Sequence, residues 1–366
     1  MCRALRIFKR RIRPRFRALA RWQTFPSPFG MTAPRSAEPE TKAAARLRWT
    51  HGLALLLCLT TLVLLAAGAL VVGTGSGLAV PDWPLANGQV FPPMVGGILF
   101  EHGHRLIAAT VGILTVVLAA WMATAEPRRW MRWLGYAAAG AVVAQGLLGG
   151  LTVLLRLPKS ITIGHAMLAQ NFFLLAVLMA QFSSAAWPRL VRERGSAGRP
   201  AMQRSALRWL AFATVGAVEI EIFLGAVVRH FNAGLAIPDF PLALGRLVPP
   251  LDAFPVAVHF AHRAGALAVL VLSLAAGWTA FRHPVRDAPL KRRAVALVAL
   301  VLLQAALGAS ILWTQRSLAA TTLHVVNGGL VLASAALVAV RAWMLEAPAP
   351  AAAPASSRLG AAAASR

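Results

Sequence analysis

Apolar residues run along the chain in long blocks, and short polar segments separate them. About 20 residues of helix, at 1.5 Å of rise per residue, span a hydrocarbon core of about 30 Å. The blocks therefore predict eight membrane-crossing helices, at about residues 51–72, 98–123, 133–155, 161–182, 207–229, 256–281, 294–313 and 319–342. The predicted fold class is all-α, that of a polytopic membrane protein.

The second half of the chain repeats the first. The matched landmarks, at a nearly constant offset, are 77–86 with 234–243, His104-Arg105 with His262-Arg263, Gln145 with Gln304, and His165 with His324. Each half holds four predicted spans, so both halves insert in the same direction. This pattern predicts two tandem four-helix bundles related by a pseudo-twofold axis along the membrane normal.

The bundles and the segments around them give five predicted regions. They are a basic cytoplasmic tail at 1–48, the first bundle at 49–183, a cytoplasmic linker at 184–206, the second bundle at 207–345 and an Ala/Pro-rich tail at 346–366. Both tails are expected to be disordered. For the first tail, an Arg-rich targeting segment or a true start at Met31 are the alternatives.

The charge of the chain follows the predicted topology. Only 13% of the 366 residues are charged, yet the formal net charge is +25. These basic residues lie between apolar spans and not on one soluble face, which argues against nucleic-acid binding. They cluster in the segments 124–132, 183–206 and 282–293, whereas 73–97 has no Lys or Arg and 230–255 has only Arg246.

The positive-inside bias then places the arginine-rich loops and both termini in the cytoplasm, or on the matrix side in an organelle. The preference for Arg over Lys and the short first tail favour a bacterial inner membrane. The loops 73–97 and 230–255 are predicted to face outward.

Four of the nine histidines lie inside predicted spans at repeated positions, namely His104, His165, His262 and His324. A polar side chain at membrane depth is costly when unpaired, so it is a candidate for function. Each half holds two such histidines at one depth, which suits two imidazoles that bind one haem iron between facing helices. Hydrogen bonding between helices explains a lone histidine better than two repeated pairs. No further soft ligand is placed to complete another metal site.

The motif 101–105, Glu-His-Gly-His-Arg, contains two histidines that cannot face one site. At 100° per residue, His102 points about 200° away from His104. His104 is the predicted ligand because its counterpart is a histidine, and His102 is a supporting or interfacial polar residue. Glu101 lies on the face of His104, and its counterpart is His259. This difference predicts reactive chemistry in the first half alone; burial of Glu101 as the partner of an arginine is the alternative.

Two arginines, Arg105 and Arg263, directly follow predicted ligands. Arginine binds carboxylates with two parallel hydrogen bonds, and haem carries two propionates, so both arginines are predicted to bind propionates. Extension of the side chain to the membrane interface is the alternative. The segments 81–84 and 238–241, Pro-Asp-Trp-Pro and Pro-Asp-Phe-Pro, cannot form regular helix and are expected to cap the bundles or to form rigid turns.

Together these residues resemble the haem A synthase family over about residues 50–345. The motifs are Glu101-x-x-His104-Arg105, Gly73-Thr-Gly-Ser-Gly77 with Pro81-Asp82-Trp83-Pro84, Gly164-His165, His262-Arg263, and Leu323-His324 with Asn327-Gly328-Gly329. Each motif is weak alone, and their combination with eight spans is specific.

The resemblance implies an oxidoreductase that converts haem O to haem A by successive hydroxylation of one methyl carbon and loss of water to the aldehyde. It implies that His262 and His324 bind a resident haem b, that His104 and His165 bind the substrate haem, and that Glu101 is catalytic. Water would supply the oxygen, and haem b would relay electrons. Haem O synthase is the implied upstream partner, and cytochrome oxidase or its assembly factors the downstream one. Homo-oligomerisation stays open.

Many bacterial members of that family carry a cysteine pair in the outer loop after the first span, and this chain does not. Its two cysteines, Cys2 and Cys58, lie outside the loops 73–97 and 230–255, so no disulfide forms in either outer loop. The route of electron transfer stays open. Two other functions compete with the enzyme, a quinone-linked di-haem b-type electron carrier and a membrane transporter built from parallel repeats.

Overall fold

The computed structural model describes residues 40–196 and 206–346. Within these ranges the helices are α1 Glu40–Gly73, α2 Gly97–Ala125, α3 Arg129–Leu154, α4 Lys159–Ser183, α5 Ala186–Ser196, α6 Ala206–His230, α7 Phe254–Arg282, α8 Ala288–Trp313 and α9 Leu318–Glu346. A short 3₁₀ helix, Ala233–Leu235, follows α6. All except α5 and the 3₁₀ helix contain a segment long and apolar enough to cross a membrane, eight in the described part of the chain. The predicted all-α class and eight spans are confirmed.

Two features differ from the boundaries expected from sequence. Helix α1 begins at Glu40, so residues 40–48, which were expected in the first tail, are helical. The expected linker contains α5, which packs against α4 and α9 with Trp187 and Leu190 buried. At 11 residues α5 is too short to cross a membrane, so a search for long apolar blocks does not find it. Of the predicted tails at 1–48 and 346–366, residues 1–39 and 347–366 lie outside the described residues.

Each half forms a closed ring of four helices. In the first half α1 contacts α2 and α4, and α3 contacts the same two helices. In the second half α6 contacts α7 and α9, and α8 contacts those two in the same way. Buried apolar side chains fill the centre of each ring, for example Leu118 and Met179 in the first and Leu297 and Leu332 in the second. The symmetry that relates the two rings stays a prediction.

The two bundles meet through α1, α4, α6 and α9. Leu65, Phe173 and Ala333 form a small buried cluster at this contact. Polar bonds also cross it, because Asn171 Nδ2 donates to Glu219 Oε2 at 3.2 Å and Arg229 Nη2 donates to the carbonyl of Ala69 at 2.7 Å. The candidate sites of the two halves are therefore held in one packed unit.

The two long loops between α1 and α2 and between α6 and α7, called outer loops after their predicted side of the membrane, fold alike. Asp82 accepts hydrogen bonds from the backbone N–H groups of Asn87 and Gly88, at 2.7 and 2.9 Å. Asp239 accepts from Leu244 and Gly245 in the same manner, at 2.7 and 2.8 Å. In each loop the two residues that donate to the aspartate have positive φ, which a tight turn requires.

Candidate functional site

The four repeated histidines lie in α2, α4, α7 and α9, and each is six to eight residues after the start of its helix. All four helices begin on the side of the outer loops. The structure thus places the paired histidines at one depth, on helices two apart in each ring.

The spacing of the second pair fits a haem iron. The ring centroids of His262 and His324 are 6.3 Å apart, with the ring planes 71° from parallel. Two metal–imidazole bonds of about 2 Å each, together with the inner halves of the two rings, span about 6 Å. Nδ1 of each of the four histidines is enclosed by protein. The other ring nitrogen, Nε2, is the atom left for a metal, and in His165 it lies 3.5 Å from Nε2 of Gln145.

A glycine faces each of these rings. A Cβ added to Gly68 or Gly149 would lie 3.1 or 3.2 Å from Cε1 of His104 or His165. The corresponding distances are 3.0 Å from Gly225 to His262 and 3.4 Å from Gly308 to His324. The first three contacts are tighter than most side chains tolerate, and the one at Gly308 is close to an ordinary van der Waals contact, so Gly68, Gly149 and Gly225 let the imidazole lie against the backbone of the neighbouring helix.

Glutamines hold the helix turns that carry two of the histidines. Gln145 Nε2 donates to the carbonyl of His165 at 3.1 Å, and Gln304 Nε2 donates to that of His324 at 3.0 Å. Asn327 in turn donates to Gln304 Oε1 at 2.8 Å. The repeated Gln–His landmarks of the sequence are therefore repeated contacts between α3 and α4 and between α8 and α9.

Glu101 is buried at the junction of α2 and the first outer loop. Its Oε2 accepts a hydrogen bond from the N–H of Val80 at 2.8 Å, and its Oε1 lies 2.6 Å from Nη2 of Arg105. In the second half the N–H of Ile237 donates to Nδ1 of His259 at 3.3 Å. Both residues thus hold the outer loop, and the first half alone places a carboxylate there, one helical turn before His104.

Both arginines that follow a histidine are bound to loop carbonyl groups. Arg105 donates to Asp82, Leu85 and Val80 at 2.7, 2.7 and 2.9 Å. Arg263 makes the equivalent bonds to Asp239, Leu242 and Ile237 at 2.8, 3.0 and 2.7 Å, a list that matches the first half residue by residue. The arginines clamp the loops onto α2 and α7; binding of propionates by them stays a prediction.

The other polar residues of the motifs also serve the loops. His102 Nε2 lies 2.8 Å from the carbonyl oxygen of Val90, which fits the supporting role expected from its helical angle. The N–H groups of Gly88 and Asn87 hold the pKa of Asp82 below its usual value, and those of Gly245 and Leu244 do the same for Asp239. Trp83 packs on Gly150 of α3, and Phe240 packs on Trp313 of α8 at 6.4 Å between centroids.

Sequence reasoning left Glu221 without a role, and the structure gives it one. Its Oε1 lies 2.8 Å from Nδ1 of His262, so a carboxylate stands beside one ring of the second pair. The four glycines were also missed, although Gly68 recurs as Gly225 and Gly149 as Gly308, in step with the histidines. The repeat could have revealed the glycines, whereas the repeat counterpart of Glu221 is Leu64, and no repeat signal marks it.

Comparison with known proteins agrees with this arrangement. Residues 94–336 match a family described as cytochrome oxidase assembly protein. A haem A synthase of Symbiobacterium thermophilum is 35% identical over 68% of this chain and 82% of its own length. Those of Alkalihalophilus pseudofirmus and Halalkalibacterium halodurans are each 32% identical over 72% of this chain, and over 87% and 86% of their own lengths. The chain belongs to the haem A synthase family.

Membership of the haem A synthase family confirms the resemblance read from the motifs. With eight apolar helices and bacterial relatives, the chain is a multi-pass bacterial membrane protein. The donor set also fits a haem, because paired imidazoles supply the two axial ligands while a porphyrin supplies the rest.

Proposed function

We propose that this protein is an oxidoreductase that makes haem A for cytochrome oxidase by oxidising a methyl group of haem O to a formyl group. The observation that carries the proposal is the duplicated pair of histidines on facing helices, with 6.3 Å between the ring centroids of His262 and His324. The names of the relatives give the product, haem A.

The two pairs have different tasks in this proposal. His104 and His165 hold the iron of the substrate, haem O, and His262 and His324 hold a resident haem b. Haem b supplies one-electron redox chemistry when bound. The assignment rests on the asymmetry next to the pairs, since a carboxylate, Glu101, precedes His104 by one turn and an imidazole, His259, takes its place before His262.

The reaction needs oxygen from water and the removal of electrons and protons. Each hydroxylation of the methyl carbon takes one water and releases two protons and two electrons, and an electron acceptor outside this chain takes up the electrons. Two such steps followed by loss of water give the aldehyde. Glu101 accepts a proton at Oε1 or stabilises positive charge on the substrate, and Arg105 fixes its orientation at 2.6 Å.

Extracted haem tests this proposal. We expect haem A, identified by mass spectrometry, in cells that make the chain together with a haem O synthase, and haem O and haem b without haem A in cells that make the His104→Ala variant with the same synthase. Two spectrally equivalent haems without haem A would favour the di-haem electron carrier. A purified protein without any Soret absorption would exclude both and leave the transporter.

The partners in the proposal follow from the reaction. Haem O synthase supplies the substrate, and an oxidase or its assembly factors take the product. The arginine-rich loops and both termini face the cytoplasm in the proposed topology, which places the histidine pairs in the outer half of the membrane.

A further inference from the structure

Glu221 and His262 form a contact that has no counterpart in the first bundle. Oε1 of Glu221, on α6, lies 2.8 Å from Nδ1 of His262, on α7, and the side chains of His262 and Glu221 are 21% and 15% exposed. A carboxylate at membrane depth is costly unless a polar partner compensates it. The imidazole is that partner.

The backbone of α7 makes room for the carboxylate. The other oxygen of Glu221, Oε2, lies against Gly265, three residues after His262, and a Cβ at this position would overlap it. Gly225, one turn after Glu221 on α6, faces Cε1 of the same imidazole. The ring of His262 thus has a glycine against one edge and a carboxylate oxygen 2.8 Å from Nδ1, and Nε2 is the ring nitrogen left for a metal.

The first bundle keeps the histidine and its glycine but not the carboxylate. His104 and Gly68 correspond to His262 and Gly225, whereas Leu64 and Ile107 stand at the positions of Glu221 and Gly265. The acid and the glycine that accommodates it are therefore both replaced by large apolar residues. This paired difference marks a feature that belongs to the second site alone.

A second carboxylate on α6 serves as an internal comparison. Glu219 precedes Glu221 by two residues and so points about 200° away around the helix. Its Oε2 accepts a hydrogen bond from Asn171 of α4 at 3.2 Å. Glu219 joins the bundles, and Glu221 alone of the two contacts a histidine of the repeated pairs.

We propose that Glu221 is a positioning residue that tunes the haem b site by accepting the Nδ1 proton of His262. A hydrogen bond across this 2.8 Å contact would fix the tautomer and rotation of the ring and make Nε2 a stronger donor to the iron, which would favour the ferric over the ferrous state. The midpoint potential of haem b is then lower than two neutral imidazoles alone would give. This inference rests on the proposed function, in which His262 and His324 hold haem b.

The test is a redox titration of haem b in the purified full-length protein, followed by its Soret and α bands. Glu221→Gln keeps the shape and an acceptor oxygen but removes the charge, so we expect the Soret band to remain and the midpoint potential to rise. Glu219→Gln removes a carboxylate two residues away and is expected to leave the potential close to that of the unchanged protein.

A second variant acts on the same contact without changing the acid. Gly265→Ala displaces the carboxylate of Glu221 and is expected to raise the potential in the same direction. Gly277→Ala is the matched control on α7, since its added Cβ would make only ordinary contact with Val298, at 3.7 Å. If Glu221→Gln loses haem b, its potential cannot be measured, and the potentials of Gly265→Ala and Gly277→Ala then test the inference. A rise in Gly265→Ala without a rise in Gly277→Ala supports the role of Glu221, and equal potentials overturn it.

The outcomes separate this inference from the proposed function. A bound haem b whose potential is the same in the unchanged protein, Glu221→Gln and Gly265→Ala would overturn the role of Glu221 and leave the function standing. An equal rise in Glu219→Gln would also overturn it, because the effect would then be one of general charge. The absence of haem from the unchanged protein would instead overturn the proposed function.

Discussion

The two bundles keep the same frame and differ in the charged groups placed on it. Both have a histidine pair, a glycine against each ring, a glutamine bound to the second histidine's carbonyl, and an arginine that clamps the outer loop. They differ at two positions of the repeat. Glu101 in the first bundle corresponds to His259 in the second, and Leu64 in the first corresponds to Glu221 in the second. The shared residues form the proposed iron site, where two imidazoles would be the ligands, and the differing ones give each site its own electrostatics. In a duplicated protein, function is therefore best sought where the copies disagree.

The largest effect is expected from the histidines themselves. His104→Ala should abolish haem A formation and leave the haem b spectrum, because only the first pair is proposed to hold the substrate. His262→Ala should remove the haem b spectrum. Absorption spectra of the purified variants and mass spectrometry of extracted haem give both results. Equal loss of haem from the two variants would contradict the division between the bundles.

The second-largest effect is expected on the rate of haem A formation, at the position where the bundles differ in charge. Glu101→Gln keeps an oxygen that accepts from Val80 N–H but removes the negative charge, and we expect haem A formation to fall by about 10²-fold, as for loss of a general acid–base group. The matched change in the second bundle, His259→Gln, should alter the rate by less than about tenfold. The rate of haem A formation in membranes measures both.

A purely structural Glu101 would behave differently. If the residue only anchors the first loop, Glu101→Gln and His259→Gln should lower thermal stability to a similar degree, and neither should change the rate per folded molecule. Unfolding curves in detergent, measured beside the rates, distinguish the two cases.

The arginines that bind the outer loops, Arg105 and Arg263, are a feature that both bundles share. Arg105→Lys and Arg263→Lys each retain the charge but lose most of the three bonds to loop carbonyls, and we expect each to lower the free energy of unfolding by about 2 kcal/mol. Arg105→Lys should have the larger effect of the two, because Arg105 also pairs with the carboxylate of Glu101 at 2.6 Å, whereas Arg263 bonds to the loop carbonyls alone. Thermal unfolding and proteolysis within the loops measure them; unchanged stability with weakened haem binding would show that the arginines serve propionates instead.

The glycines that face the rings should give a subtler change. Gly225→Ala forces the ring of His262 to move by a few tenths of an ångström, so we expect haem b retention to weaken by about tenfold, in the range found when groups that orient a ligand are altered. Gly216→Ala on the same helix is the control, because a Cβ there meets nothing within 4 Å. In the first bundle, Gly68→Ala with the control Gly52→Ala should lower haem A formation and leave haem b in place.

The smallest effect concerns the two loop aspartates. Backbone N–H groups lower the pKa of Asp82 and of Asp239 in the folded protein. Their contribution to loop stability is therefore present above the unfolded pKa of about 3.9 and is lost as the pH falls through the lower folded value. Hydrogen exchange of the two loops, corrected for intrinsic rates, should rise together on acidification. Asp82→Asn should loosen only the first loop at neutral pH, and a response of both loops would contradict their independence.

Much of the fold could be predicted because hydropathy acts locally along the chain. Eight apolar blocks gave eight helices, and a repeat with a nearly constant offset located the two histidine pairs in equivalent helices. Helix α5 was not predicted, since its burial depends on Trp187 and Leu190 packing in the fold and not on its length or hydropathy. The early start of α1 at Glu40 was missed because its first turns lack the apolar residues that mark a span.

By itself the sequence determined the number of membrane helices, their duplication, and the level at which the repeated histidines lie, since each follows from residue spacing along a helix of known rise. The tertiary structure decided which polar atoms meet. Glu221 and His262 lie on different helices with the second outer loop between them, and Arg105 reaches back to carbonyl groups of the first outer loop. Such contacts depend on how each helix is rotated against its neighbours and on how the loops fold back. Packing of the whole ring fixes both, and no single segment encodes either.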